Sequence, residues 1–149
     1  MNASVVWDHP EPHVIRCLAE PGHIDVMNHV NNVVYQHWME AVAWSHSQSV
    51  GLGPADYQRH GYGMVVHRHE MDFLAAAYLG DELLVATWLL SVDRLSTERV
   101  YQMVRASDGK TVFRGRTRLV CIDIASGRLR RMPPVYHEVY SALVVDQSA

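Results

Sequence analysis

One helix-length apolar pattern followed by four strand-length segments, each closed by a turn signal, constrains this chain more than any other feature. From about Asn32 to Val50, the residues Val34, Trp38, Ala41, Val42 and Trp44 share a broad helical face, and Gly51 and Gly53 end the pattern. Pro54 to His60 has room for one further helical turn. Extended segments are predicted at Gly63 to Ala76, Glu82 to Asp93, Glu98 to Ser107 and Thr111 to Ile124. Their punctuation is Leu79-Gly80-Asp81, Arg94 to Ser96, and Ser107 to Lys110, where Asp108-Gly109 predicts a two-residue hairpin. Before the helix, His13 to Ala19 reads as a strand that ends at Glu20-Pro21-Gly22. After the last strand, Pro133-Pro134 opens a short amphipathic segment, Val135 to Val144.

Strand, long helix, then four strands specify an α+β architecture: a long central helix against a curved five-stranded antiparallel sheet. The helix must bury Trp38, Val42 and Trp44, and the concave side of such a sheet is the place for it. The sheet leaves a long edge strand open, and pairing with a second copy is a common way to cover one. At least a homodimer is therefore expected.

A length of 149 residues fits a single domain, 1–149. A net charge of −3 and a pI near 6.3 argue against nucleic acid as a partner. No run of about 18 apolar residues is present, so no membrane span is expected. The first residues, MNASVVWDHPEPHV, lack a basic and then apolar leader and read as a short disordered lead ending at Pro10 and Pro12, with cytoplasmic residence expected. Cys17 and Cys121 have no metal spacing and read as buried free thiols of a reducing compartment.

The chemistry concentrates in His23 to Glu40, HIDVMNHVNNVVYQHWME. Asp25 sits in a short polar loop, and Asn31 and Asn32 lie where the helix begins. A carboxylate is thereby placed beside a helix N-terminus, whose free N–H groups can hold a developing oxyanion. That pairing suits acyl transfer. An acid before a helix also serves as a cap or a dipole partner, and Asn32 is a natural N-cap. The ten histidines, with His67 and His69 on one strand and His29 and His37 near the motif, show no zinc spacing, so no metal is expected. Arg94, Arg99, Arg114, Arg116 and Arg118 flank the strand region, with Arg114, Arg116 and Arg118 on one strand side, and Arg128, Arg130 and Arg131 cluster near the end of the last strand.

Three segments carry a resemblance. Ile24-Asp25-Val26-Met27-Asn28-His29-Val30-Asn31-Asn32-Val33-Val34-Tyr35, His69-Glu70-Met71-Asp72-Phe73-Leu74 and Tyr78-Leu79-Gly80-Asp81-Glu82-Leu83 stand in order and at suitable separations. Together they resemble the hotdog-fold acyl-CoA thioesterases of the 4-hydroxybenzoyl-CoA thioesterase-like group. Asn28 replaces the Gly common in that group, and Asn tolerates a left-handed backbone better than most residues.

The resemblance implies hydrolysis of an acyl-CoA to free acid and CoA, without a metal or organic cofactor, by a homodimer or a higher homo-oligomer, a tetramer or hexamer. Asp25 would be nucleophile or general base, and the amides around Asn31 and Asn32 the oxyanion hole, with Asn31 meeting the thioester carbonyl. His29 would shape the loop or line the pocket, and Tyr35 would pack in the helix. Trp38, Met64, Val66 and Phe73 would line the acyl slot. Glu40 is the reserve acid, because some hotdog thioesterases use a helix glutamate. The competing expectations are a non-catalytic acyl-CoA or acyl-carrier binding module and a hotdog enoyl-CoA hydratase or dehydratase.

Overall fold

The computed structural model describes residues 4–145. Its elements run β1 (His13–Leu18), a 3-10 turn (Pro21–His23), α1 (Asn32–Ser49), α2 (Pro54–His60), β2 (Tyr62–Phe73), β3 (Glu82–Val92), β4 (Ser96–Arg105), β5 (Thr111–Asp123) and α3 (Pro134–Ser141). The five strands form one antiparallel sheet in the order β1-β3-β4-β5-β2. This is the hotdog arrangement the sequence predicts, with α1 as its long helix.

α1 buries Tyr35, Trp38, Met39 and Val42, a stripe at helical spacing. The stripe packs on Val85 of β3, Tyr101 and Met103 of β4, and Phe113 of β5. Ala41, expected on the apolar face, is exposed, because the stripe is centred on Tyr35 and Met39 rather than on Val34 and Ala41. Beyond the C-terminal end of α1 a second cluster forms from Leu52, Tyr57, Met64, Leu89, Cys121, Tyr136 and Tyr140. Here α3 closes one end of the layer, with Tyr140 Oη hydrogen-bonded to Ser47 Oγ at 3.1 Å and to Tyr57 Oη.

Two local expectations are corrected. Residues 1–3 of the expected lead lie outside the described residues, and the rest is not free: residues 5–10 lie across the outer face of the sheet. Trp88 Nε1 donates to the Pro10 carbonyl at 3.0 Å, Gln102 Nε2 donates to the Val6 carbonyl at 3.1 Å, and Asp8 holds Arg114 through two bonds of 2.8 and 2.9 Å. Trp7 meets Trp88 edge-on, so this strap covers an aromatic the sheet would otherwise expose. Asp108-Gly109 does not make a two-residue hairpin either. The Asp108 carboxylate accepts from Lys110 N–H and grips the Arg105 guanidinium, and Gly109 N–H donates to the Arg105 carbonyl. The connection from Arg105 to Thr111 is therefore wider.

A β-bulge in β2 matters for the site. Val66 faces Leu119 and Arg68 faces Arg118, so His67 is the extra residue. Inward positions before the bulge are Met64 and Val66; after it the inward residue is His69, while His67 is exposed. The bulge thus separates two histidines that simple alternation would put on one side.

Candidate active site

The loop from His23 to Asn31 is stitched by its own backbone. Asp25 N–H donates to the His29 carbonyl at 3.0 Å, Asn28 N–H donates to the Asp25 carbonyl at 3.0 Å, and Val30 N–H ties the loop to the Ala77 carbonyl at 2.8 Å. Asn28 has φ 64°, so it supplies the left-handed residue this tight turn requires. Asp25 Oδ1 accepts the Met27 N–H at 2.8 Å, and the His29 ring lies 3.9 Å from the same oxygen. Among the described residues no hydrogen bond engages Oδ2. One carboxylate oxygen therefore orients the side chain and the other is available. The side chain is 20% exposed, which places it in a cleft rather than in open solvent.

That cleft has a volume of about 350 Å3. Asp25, His29 and Asn32 line it, with Tyr35 and Phe73 as its aromatic wall. Tyr35 is buried and stacks on Phe113 at a centroid distance of 5.2 Å, while Phe73 stands half-exposed at the rim. Burial is the main cause that raises the Tyr35 hydroxyl pKa, so it stays protonated near neutral pH.

The helix start redistributes the roles of the two asparagines. Asn31 is the N-cap, its Oδ1 accepting the Val33 N–H at 3.0 Å. Its own N–H donates to the His23 carbonyl at 2.9 Å, and its carbonyl accepts from Val34. The Asn31 amide, expected to meet the thioester carbonyl, is thus already engaged. Asn32 N–H, in the first helical position, has no acceptor among the described residues, and Asn32 lines the cleft with Asp25. Asn32, the expected cap, is instead the residue with the free donor.

The acyl-slot residues divide. Phe73 joins the Asp25 cleft, whereas Met64 and Val66 line a second pocket of about 300 Å3 together with Glu40. Trp38 lines neither; it is 7% exposed and packs edge-on against His23 and Tyr35. The second pocket lies between α1 and strands β2, β4 and β5, and Arg99 forms its floor. Sequence reasoning placed Arg99 only among the charges flanking the strands. Its signal was faint: a charged residue at an inward position between Thr97 and Tyr101 on a strand whose other inward residues are buried.

Five of the ten histidines, His9, His13, His23, His46 and His60, pack against another ring. His13 stacks on His46 at 4.8 Å, and His69 Nδ1 lies 2.7 Å from Thr117 Oγ1. Both cysteines are free; Cys121 is buried and Cys17 half-buried, and burial pushes each thiol up to about 11. Arg114, Arg116 and Arg118 are exposed on one side of β5, where Arg114 pairs with Asp8 and Arg116 with Glu98. No helix among the described residues is long and apolar enough to cross a membrane.

Comparison with known proteins agrees with this fold. The sll0410 protein of Synechocystis sp., whose name proposes an esterase, is 28% identical over 120 residues, spanning 80% of this chain and 72% of that protein. The DHNA-CoA thioesterase of Staphylococcus aureus superposes with a TM-score of 0.81 at 22% identity, covering 88% of this chain and 89% of that one. The SAV2348 protein of Staphylococcus aureus, solved in complex with CoA, gives 0.83 at 16% identity over 100% of this chain and 93% of that one. These likenesses establish the fold. The sequence pattern of the thioesterase-like superfamily matches residues 19–143, from the end of β1 through α3. The chain therefore belongs to the thioesterase-like superfamily, a family of enzymes that hydrolyse thioesters.

Proposed function

We propose that this protein is an acyl-CoA thioesterase whose Asp25 carboxylate and Asn32 backbone amide act on one carbonyl. The observation that carries this reading is their position in the same cleft, with Asp25 Oδ2 and Asn32 N–H both lacking a partner among the described residues. The thioester carbonyl carbon receives either Oδ2 itself, giving a mixed anhydride, or a water that Oδ2 deprotonates. In either route the carbonyl oxygen becomes an oxyanion and accepts from Asn32 N–H, and collapse breaks the C–S bond and expels the thiolate; the water route releases the free acid directly, and in the other a water then hydrolyses the Asp25 anhydride to free acid and regenerated carboxylate. His29 and Phe73 hold the acyl end of the substrate, and the domain, residues 1–149, works as a homo-oligomer. Support for the latter is the free edge of β2, where Val65, Val66 and Phe73 are exposed beside an unpaired backbone.

Thiol release from a panel of acyl-CoAs tests the reading. The wild type is expected to turn over, and Asp25→Asn to lose at least about a hundredfold in kcat/KM with an unchanged circular dichroism spectrum. Binding of acyl-CoA without thiol release would replace the enzyme with a binding module. Water addition to an enoyl-CoA without thiol release would replace it with a hydratase.

A further inference from the structure

Arg99 is 3% exposed, yet it forms no ion pair among the described residues. A guanidinium keeps its proton throughout the range in which proteins fold, so this is a buried permanent charge. Its protein partners are neutral. Nη1 donates to His46 Nδ1 at 2.9 Å and to Thr87 Oγ1 at 3.1 Å. Thr87 Oγ1 passes its own proton to the Val100 carbonyl at 2.9 Å, so it receives from Arg99 as an acceptor. A buried charge without a counter-charge is costly, and proteins retain one where something else supplies the opposite charge.

The surroundings say what that is. Arg99 opens onto the pocket of about 300 Å3, a volume suited to a small organic molecule. Trp44, Met64 and Leu119 give it apolar walls, and Thr117, Tyr101 and His69 add neutral polar groups. His46 and His69 are both held below the ordinary histidine value, burial being the largest cause, so neither brings a second positive charge near neutral pH. A single planar guanidinium matches one carboxylate through two parallel hydrogen bonds, whereas a phosphate dianion calls for more cations. Glu40, exposed on α1, stands at the mouth and disfavours a second negative charge there.

We propose that this pocket is a carboxylate subsite: Arg99 pairs with the carboxylate of a monoanionic ligand whose apolar body lies against Trp44, Met64 and Leu119. The ligand enters carboxylate first, leaving its neutral end at Glu40. Two sources share this chemistry, a free carboxylic acid and the far end of an ω-carboxyacyl thioester. The second rests on the thioesterase reading, for which α1 offers a track. Asn32 and Tyr35 line the Asp25 cleft, Gln36, Glu40 and Ala43 line the Arg99 pocket, and the rise from Asn32 to Ala43 is about 16 Å.

Calorimetric titration of the intact protein with 4-phenylbutyrate and with its amide tests the subsite directly. The acid is expected to bind at least tenfold tighter than the amide at pH 7, and Arg99→Met to abolish that ratio. The ratio on the wild type stands even if the variant fails to fold. A kinetic arm compares tetradecanedioyl-CoA, whose extended ω-carboxyacyl chain matches that rise, with its ω-amide in thiol release, where the acid is expected to be preferred at least tenfold in kcat/KM. Discrimination in the titration alone assigns the site to a free acid, and discrimination in the kinetics alone assigns it to the acyl tail; both uphold the subsite. Equal treatment of acid and amide in both arms, or binding of neither with equal turnover, overturns it. If no thioester is turned over, the reading of the Asp25 cleft fails while the titration still reports on Arg99.

Discussion

Two cavities lie along the same helix and are built in opposite ways. The Asp25 cleft is local: a stitched loop and the first turn of α1 supply its polar groups within residues 25–32, and β2 and its following turn add only a wall. The Arg99 pocket is assembled from α1, β2, β4, β5 and α3, so its polar groups come together only when the sheet has formed. One cavity presents a carboxylate and a free amide; the other presents a guanidinium among neutral rings and hydroxyls. A loop at a helix start can be read and altered as a motif, whereas a pocket in the sheet is a property of the whole fold. Their responses to substitution should differ accordingly: catalysis fails at the first with the fold intact, and stability suffers at the second.

The largest effect expected is at the helix start. Asn32 stands in the first helical position, where proline is tolerated, and Asn31 already has ψ 139°, the conformation a residue preceding proline prefers. Asn32→Pro therefore deletes the free N–H while leaving the helix its geometry. Turnover should fall by about a hundredfold to a thousandfold, the usual consequence of losing one oxyanion donor. Asn32→Ala keeps the amide and should lose far less. Equal losses in the two variants would move the role from the backbone to the side chain.

This contrast also separates what the sequence disclosed from what it hid. The succession of strands along the chain, the long helix and the Asp25 loop were legible because each rests on short-range signals: periodicity, turn residues and an acid beside a helix start. The split between Asn31 and Asn32 was not, because which amide is free depends on the His23 carbonyl, and a sequence does not say where a loop carbonyl points. Met64 and Val66 were expected in the acyl slot from the resemblance, and only the folded sheet shows that they line the pocket of Arg99 instead. Arg99 itself read only as one of the charges flanking the strands, since its neutral partners His46 and Thr87 come from α1 and β3.

In the Arg99 pocket the expected cost is stability. Tyr140→Phe removes the hydroxyl that joins Ser47 to Tyr57 beneath the pocket. Two buried hydroxyls then lose a partner, and unfolding by urea should show a loss of about 1–3 kcal/mol. A neutral outcome would mean that Ser47 and Tyr57 bond directly once the bridge is gone. The matching experiment at the other cavity is milder. Asn31→Ala removes the cap on Val33 N–H, which should cost about 1 kcal/mol of stability, and it should reduce turnover far less than Asp25→Asn because its backbone amide is not free. A catalytic loss as deep as that of Asp25→Asn would return the oxyanion role to Asn31.

The remaining contrast is a slope in pH. His46 is held down to about 3 by burial first, then by the adjacent Arg99 charge and by His13 stacked on its other face. In the unfolded chain the same ring titrates near 6.5. Between these values the unfolded state binds a proton that the folded state refuses, so stability rises with pH across the window and is complete above about 6.5. Acidification from pH 7 to 4 should therefore lower the urea midpoint, and His46 should account for up to about one proton of the slope. His46→Gln tests that share, since a glutamine carbonyl can still accept from Arg99 but cannot titrate. The variant should show a flatter acid limb than the wild type. Identical limbs would mean that the folded protein protonates His46 as readily as the unfolded chain does. Arg99 would then tolerate a second positive charge at 2.9 Å, and a carboxylate already seated in the pocket would be the simplest way to make that possible.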